Sequence, residues 1–279
     1  MHICVEDPKE LAKLQGSKYV QSDLGDSFVQ AKQLLEQGRT VLFSGTPCQI
    51  DALNRFLSET DTRNLYTVDI ICHGVPSAQL FQGYLKTLGA SVRSFSFRDK
   101  TRGWGLNGRY TYRTGDQERE KLFSPSVSSY YSYFLQAETY RESCYSCRYA
   151  NLDRVGDITI GDFWGFEQEH PELLAEHGGP YDIRRGISEV LVNTRKGKYL
   201  LKQFGQGMLL SASETGRMTK WNRQLCGPSA CSEERKAITK VYEKNGYPGV
   251  ESMFRKELGI RLWARKLKAF LYRPQKNKY

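Results

Sequence analysis

Seven cysteines carry most of the chemistry this chain can offer, and their spacing sorts them. Cys48 follows Val41-Leu42-Phe43-Ser44 and then Gly45-Thr46-Pro47. A short apolar run of that kind fills a parallel strand. Gly45 permits a tight turn, and Pro47 suits a first helical position, where no amide hydrogen is needed. Cys48 is therefore expected in the first turn of a helix, near unsatisfied N–H groups and the positive end of the dipole. A sulfur so placed can attack, be oxidised or bind a metal. The device recurs: Leu65 to Ile71 reads as a strand and Cys72-His73-Gly74-Val75-Pro76-Ser77 as the loop after it. One strand–helix–strand unit separates the two cysteines. If the strands are parallel, both sulfurs lie at the carboxyl edge of one sheet, where open α/β sheets place ligands.

Cys144 and Cys147 form a C-x2-C pair, a spacing that lets two sulfurs reach one metal or cluster. With Cys48 and Cys72 the count is four, which suits either a [4Fe–4S] cluster or a structural zinc. Zinc sites usually join two close-spaced pairs, and only one pair here is close-spaced, so the cluster is the favoured reading. Cys4, Cys226 and Cys231 have no second close-spaced pair beside them and read as incidental. His73 could tune a cluster or carry a proton, although a loop histidine more often serves as an ordinary hydrogen-bonding residue. His170 and His177 receive no role. Ser44 has no base near it in sequence, which argues against a serine hydrolase.

The elements that must position these residues follow from periodicity. Glu10 to Leu14 suggests a short helix, and Gly16 to Ser22 a run into a strand. Asp23 or Asp26 is placed to cap a helix from Ser27 to Gln37 that ends at Gly38. Helices follow Cys48 and, from Ser77 to Leu88, Cys72. Beyond Ser91 the pattern turns to strands: Val92, Phe95 and Phe97, then Arg109 to Arg113, a turn at Thr114-Gly115-Asp116, and a return over Glu118 to Phe123. Tyr130 to Leu135 reads as a core helix. Gly156 to Gly165 is a strand ending in a glycine-rich turn; Ser188 to Asn193 is a strand and Lys196 to Phe204 a helix. Two helices, 232–245 and 248–272, close the chain around Gly246-Tyr247-Pro248. The fold class expected is α/β: a mixed sheet with two strand–Cys–helix units, an antiparallel β section, and C-terminal helices. Residues 1–230 form the functional region, with an α/β part at 1–90 and a mixed β part at 91–230, and residues 231–279 a basic helical tail.

The 279 residues are 39% hydrophobic and 26% charged, a globular composition. No apolar run approaches the roughly 20 residues that cross a bilayer. Met1 to Asp7 lacks a signal peptide's basic start and apolar middle. A cytoplasmic location follows as the expectation, and cysteines there argue for metal or redox chemistry over a disulfide framework. The net charge of +10 is concentrated: residues 255–279 hold nine Lys or Arg against Glu257 alone. Ile260, Trp263, Leu267 and Phe270 form a helical stripe among them, which either meets an anionic membrane surface or packs on the body. No recognised fold or aromatic-basic platform supports nucleic acid.

Several motifs, in order, resemble the coenzyme F-420 hydrogenase/dehydrogenase beta-subunit family. They are Gly16 to Ser22, Gly45-Thr46-Pro47-Cys48-Gln49, Cys72-His73-Gly74, Arg98-Asp99-Lys100 with Gly103-Trp104, Cys144-x2-Cys147, and Gly156 to Gly165. That family includes plant 7-hydroxymethyl chlorophyll a reductase and bacterial members that accompany polysaccharide synthesis, the group this chain looks most like. The resemblance implies an oxidoreductase with a [4Fe–4S] cluster and FAD, passing electrons between a ferredoxin-like donor and a two-electron acceptor. The acceptor would be a small molecule or a saccharide-linked one. By motif the cluster ligands are Cys48, Cys72, Cys144 and Cys147. Lys18, Thr46, Arg98, Gly161 and Asp162 are the expected flavin or substrate contacts, since amides, small residues and cations suit phosphate. Many members carry an N-terminal ferredoxin module and a Ser/Gly-rich segment that are missing here. A partner subunit would supply them, or the chain is a truncated member. The alternative is a cluster or zinc protein without flavin, acting as a relay or structural partner.

Overall fold

The computed structural model describes residues 1–89 and 91–271, and beyond residue 259 only the backbone of the last helix. In chain order the strands are β1 (Val41–Gly45), β2 (Leu65–Ile70), β3 (Ser91–Ser96), β4 (Gly108–Thr114), β5 (Gln117–Phe123), β6 (Ile158–Asp162) and β7 (Ser188–Val192). The α-helices are α1 (Ser27–Glu36), α2 (Pro47–Phe56), α3 (Ala78–Thr87), α4 (Ser129–Leu135), α5 (Phe166–Glu169), α6 (Arg195–Phe204), α7 (Thr215–Trp221) and α8 (Glu233–Leu271). Two compact units result, each assembled from separate stretches of chain. The first takes residues 1–6, 22–73 and 146–228; the second takes 7–21, 74–145 and 229–279.

The first unit is built on a four-stranded sheet of order β1-β2-β6-β7. β1 and β2 are parallel, with Val41 opposite Leu65 and Gly45 opposite Asp69. β2 and β6 are also parallel, and β7 closes the sheet antiparallel to β6. The expected mixed sheet with two strand–Cys–helix units is therefore the observed one. On one side Val41, Phe43 and Leu65 join Ala31 and Leu35 of α1 and Ile50 and Leu53 of α2 in a core. A second core gathers Ile71, Phe163, Phe166, Leu174, Met218 and Leu225. Polar side chains reach the interior where they are matched. Asp69 is fully buried, and its Oδ1 accepts from Arg154 Nη2 at 2.6 Å while Oδ2 accepts from the Gly156 N–H at 2.9 Å.

The second unit carries the antiparallel section, a β3-β4-β5 sheet in which Thr114 to Gln117 make the expected hairpin turn. The aromatic run forms α4, capped by the Ser128 hydroxyl, which accepts from the Tyr131 N–H at 3.3 Å. Tyr130 and Tyr131 are fully buried. They anchor cores that include Tyr84, Phe97, Tyr247 and Phe254 on one side and Tyr110, Phe123 and Tyr140 on the other. The helical run of α8 is broken at Gly246, whose φ of 62° and ψ of −165° are not helical, so two helices meet near the expected place. A second break falls at Gly259.

Three expectations change. Residues 16–22 form no strand; the Lys18 ammonium folds back onto the carbonyls of Gln15 (2.9 Å) and Gly16 (3.0 Å) instead. Asp26 precedes α1, but its side chain makes no capping bond, and Asp23 serves the Gly25 N–H. Residues 8–14 wind as a 3-10 helix capped by the Asp7 carboxylate. The apolar stripe at Ile260, Trp263, Leu267 and Phe270 lies outside the residues whose side chains are described. Among the described residues no helix is long and apolar enough to cross a membrane.

Candidate functional site at the carboxyl edge of the mixed sheet

The parallel register of β1 and β2 sets Gly45 beside Asp69, so the loops leaving both strands start at one edge of the sheet. Thr46 closes the first loop. Its N–H donates to Gln49 Oε1 at 3.0 Å, and its hydroxyl lies 3.1 Å from the Cys48 sulfur. Cys48 is the second residue of α2 and exposed. Cys72 leaves the end of β2 half-buried, just past Ile71, whose N–H extends the ladder to the Ile160 carbonyl at 2.9 Å.

The segment that follows Cys147 is tied to the same elements by a different route. Arg148 and Tyr149, the residues after that cysteine, both bind Asp51, which sits one helical turn from Cys48 on α2. Arg148 Nη2 donates to Asp51 Oδ2 at 2.9 Å, and the Tyr149 hydroxyl donates to it at 2.6 Å. The Tyr149 bond first, then that of Arg55 on the same helix, with the nearby Arg148 charge adding less, hold the Asp51 carboxyl below its usual range. Farther along, the buried Arg154 guanidinium bridges the chain to β2. It donates to the Tyr149 carbonyl (2.9 Å), the Ile70 carbonyl (3.1 Å) and Asp69. Two aspartates thus fasten the 148–154 segment, one on the Cys48 helix and one on the strand before Cys72. Neighbours three or four apart on a helix share a face, so Asp51 and Cys48 look the same way.

The first unit therefore holds Thr46, Cys48, Cys72, Cys147, Gly161 and Asp162; Lys18, Arg98 and Cys144 belong to the second. Cys144 is half-buried beside the Tyr131 and Tyr140 aromatic core. Every cysteine is a thiol outside any disulfide. Among the described residues no three His, Cys, Asp or Glu side chains are grouped to hold a metal ion. In kind, the donors suit a sulfur-ligated centre, because thiolates select iron–sulfur clusters or zinc.

The five residues expected at a flavin or substrate make contacts within the protein. Lys18 caps its own 3-10 helix, and burial lowers its pKa. Arg98 Nη1 donates to the Tyr19 hydroxyl at 3.1 Å, and the guanidinium lies 5.3 Å from the Trp104 ring. A Cβ on Gly161 would stand 2.7 Å from Ile71 Cδ1, so that glycine admits a core side chain rather than a phosphate. Thr46 serves Gln49, and the Asp162 carbonyl accepts from Asn222 Nδ2 at 3.0 Å. As a set they do not fit a flavin cradle.

Two further residues stand at the same edge: His73, a candidate tuning or proton-carrying group by sequence, and Glu189, which has no expected role. His73 is held below the usual histidine pKa by burial, with the Asp162 carboxylate pulling the other way. Glu189 of β7 is 1% exposed and directly opposite Gly161. The sequence signal for Glu189 is its place as the only charged residue in the strand Ser188–Val192.

Residues 38–216, more than half of the chain, match the family model for the C-terminal part of the coenzyme F420 hydrogenase/dehydrogenase beta subunit. The chain belongs to this family. Both strand–Cys–helix units, β6 and β7 lie inside the matched stretch, so the edge described above is family territory. Membership places the chain in an oxidoreductase-related electron-transfer role, in a family named for a hydrogenase/dehydrogenase subunit. No curated protein matches the chain.

Proposed function

We propose that this chain is an iron–sulfur electron carrier whose centre sits at the carboxyl edge of the β1-β2-β6 sheet. Cys48, Cys72 and Cys147 are its ligands in the first unit, and Cys144 enters by its C-x2-C spacing to Cys147. The observation that carries the reading is the double fastening of the 148–154 segment by Asp51 and Asp69. It ties the residues after Cys147 to the elements that carry the other two sulfurs. A [4Fe–4S] cluster exchanges one electron at a time when bound. The protein's part is positional and electrostatic. The Thr46 hydroxyl at 3.1 Å orients the Cys48 sulfur, and hydrogen bonds to ligand sulfur tune cluster potentials. Burial disfavours a charge on His73, the residue after Cys72. A ferredoxin-like protein or subunit is the donor this chemistry fits, and the acceptor is a small or saccharide-linked molecule. A flavin, if used, is held by residues outside the five considered above or by a partner subunit. The location consistent with this role is the cytoplasm, at its membrane surface if the basic tail binds lipid.

Anaerobic purification tests the reading. A brown protein with about four iron and matching acid-labile sulfide per chain, giving a paramagnetic signal on reduction, supports it. Stoichiometric zinc without sulfide replaces it with the structural-metal alternative.

A further inference from the structure

Glu189 is an anomaly that the ligand set leaves unexplained. Its Oε1 accepts from Asn222 Nδ2 at 2.9 Å, while its Oε2 is buried with no hydrogen-bond partner among the described residues. Buried polar groups are almost always satisfied, and an isolated buried carboxylate is costly enough that it takes up a proton instead. Among the described residues no cation pairs with Glu189. Directly opposite is Gly161, and the space a Cβ there would fill belongs to Ile71 of the apolar core. The partner from beyond α7, Asn222, is itself 1% exposed and uncharged. The ionised group whose field reaches Glu189 is Asp162 of β6, and its sign is negative. Compare Asp69 on β2, two strands away: equally buried, but matched by Arg154 and the Gly156 N–H.

The position is as informative as the environment. Glu189 sits one residue in from the exposed Ser188, which pairs with Asp162 at the end of β6. A group there is shielded from water yet one strand step from the edge that bears Cys72. We propose that Glu189 is the buried proton donor of this edge, carrying a proton on Oε2 at neutral pH for delivery to an acceptor reduced there. The proposal rests on the electron-transfer reading above. In balance, two one-electron donors of the ferredoxin class each give an electron. The acceptor takes both electrons and two protons. One proton comes from the Glu189 carboxyl, whose O–H bond breaks and leaves its electron pair on oxygen, and the other comes from solvent. Water then reprotonates Glu189. Burial, with the Asp162 charge added, raises the Glu189 pKa to about 7, which suits a group that must both hold and release a proton at neutral pH.

Two measurements test this on the anaerobically purified protein. The first is the infrared carbonyl band of protonated carboxylic acids, followed against pH in the wild type and in Glu189→Gln. The expected result is a wild-type band that disappears as pH rises through neutrality and is missing from the variant. The second uses reduced methyl viologen as donor and a water-soluble quinone as acceptor. The wild-type rate should fall as pH rises through neutrality. Glu189→Gln, which keeps the volume and an acceptor for Asn222, should be several-fold slower and lack that limb, and Glu189→Asp should restore a limb at a shifted pH. A purely structural Glu189 leaves the profile unmoved. Iron-loaded protein with no titrating band, or with one profile shared by wild type and Glu189→Gln, overturns the proposal. A chain that binds no iron but shows the band defeats the electron-transfer reading, and the delivery role with it, while leaving the proton on Glu189.

Discussion

The two units bury polar atoms in different proportions. In the second, the interior polar groups are mostly phenols, and the tips of Tyr84, Tyr130 and Tyr247 find neutral or backbone partners. The Tyr130 hydroxyl donates to the Tyr19 carbonyl at 2.7 Å, Ser128 donates to the Tyr84 oxygen at 2.9 Å, and Tyr247 meets Ser129 at 2.9 Å. Burial pushes the Tyr84 and Tyr130 pKa values far up, so these groups stay uncharged throughout the range in which the protein works. In the first unit three carboxyls, Asp69, Asp157 and Glu189, are buried beside Thr67, Thr159, His170 and Asn222. Asp157 accepts from the Thr67 N–H at 2.9 Å and from Thr194, Asp69 has a cation, and Glu189 has neither a cation nor a full set of donors. Three buried carboxyls thus lie in the unit that holds three of the four proposed sulfur ligands, against Glu138 in the other. A scaffold needs packing that does not titrate, whereas a site needs groups that do.

That contrast is broken most decisively at Asp69. Asp69→Ala leaves the Arg154 guanidinium buried without its anion and loosens the 148–154 segment. The expected loss is about 3–5 kcal/mol of stability in chemical denaturation at neutral pH. A loss below about 1 kcal/mol would mean that the buried ion pair does not hold this unit together.

Glu189→Gln should act with the opposite sign, and only above acid pH. The folded-state pKa of about 7 lies above the ordinary value of 4.5. Between those two pH values the folded state therefore binds more protons than the unfolded one, and wild-type stability falls as pH rises. Above about pH 7 the wild type carries the whole penalty, about 3 kcal/mol, which the glutamine variant escapes. Paired denaturation curves should coincide at pH 4 and diverge toward pH 8; parallel curves would contradict the account. The smallest effect belongs to the second unit. Tyr130→Phe removes one neutral hydrogen bond and should cost about 1 kcal/mol, equally at pH 6 and pH 8. A pH-dependent loss there would erase the distinction between the units.

Much of this architecture is legible in sequence because it is local. The apolar run before Gly45, the Thr114-Gly115-Asp116 turn and the aromatic density of α4 each sit within a few residues, and their elements form where expected. Gln49 closing the Thr46 turn is similarly short-range. What escapes is what depends on distant pairs. Lys18 looks like a phosphate cation until its own helix's carbonyls claim it. Gly161 looks like a ligand-approach glycine until Ile71 from the neighbouring strand fills the gap. Asp51 and Arg148 are 97 residues apart, and Glu189 and Asn222 are 33 apart. No periodicity links such partners. Neither does composition announce that the two units interleave along the chain. The α7 helix escapes for the opposite reason: seven residues with Gly216 in its first turn leave too little pattern to read.

The central claim is that sulfurs from separate elements share one centre, and iron content reads it directly. Wild type, Cys48→Ser, Cys72→Ser and Cys147→Ser, with Cys4→Ser as control, are purified without oxygen and assayed for iron and sulfide. The account predicts about four iron in wild type and in Cys4→Ser, and loss of most of it in each of the other three. Full iron in Cys48→Ser or Cys147→Ser, or none in the wild type after reconstitution with iron and sulfide, would contradict it.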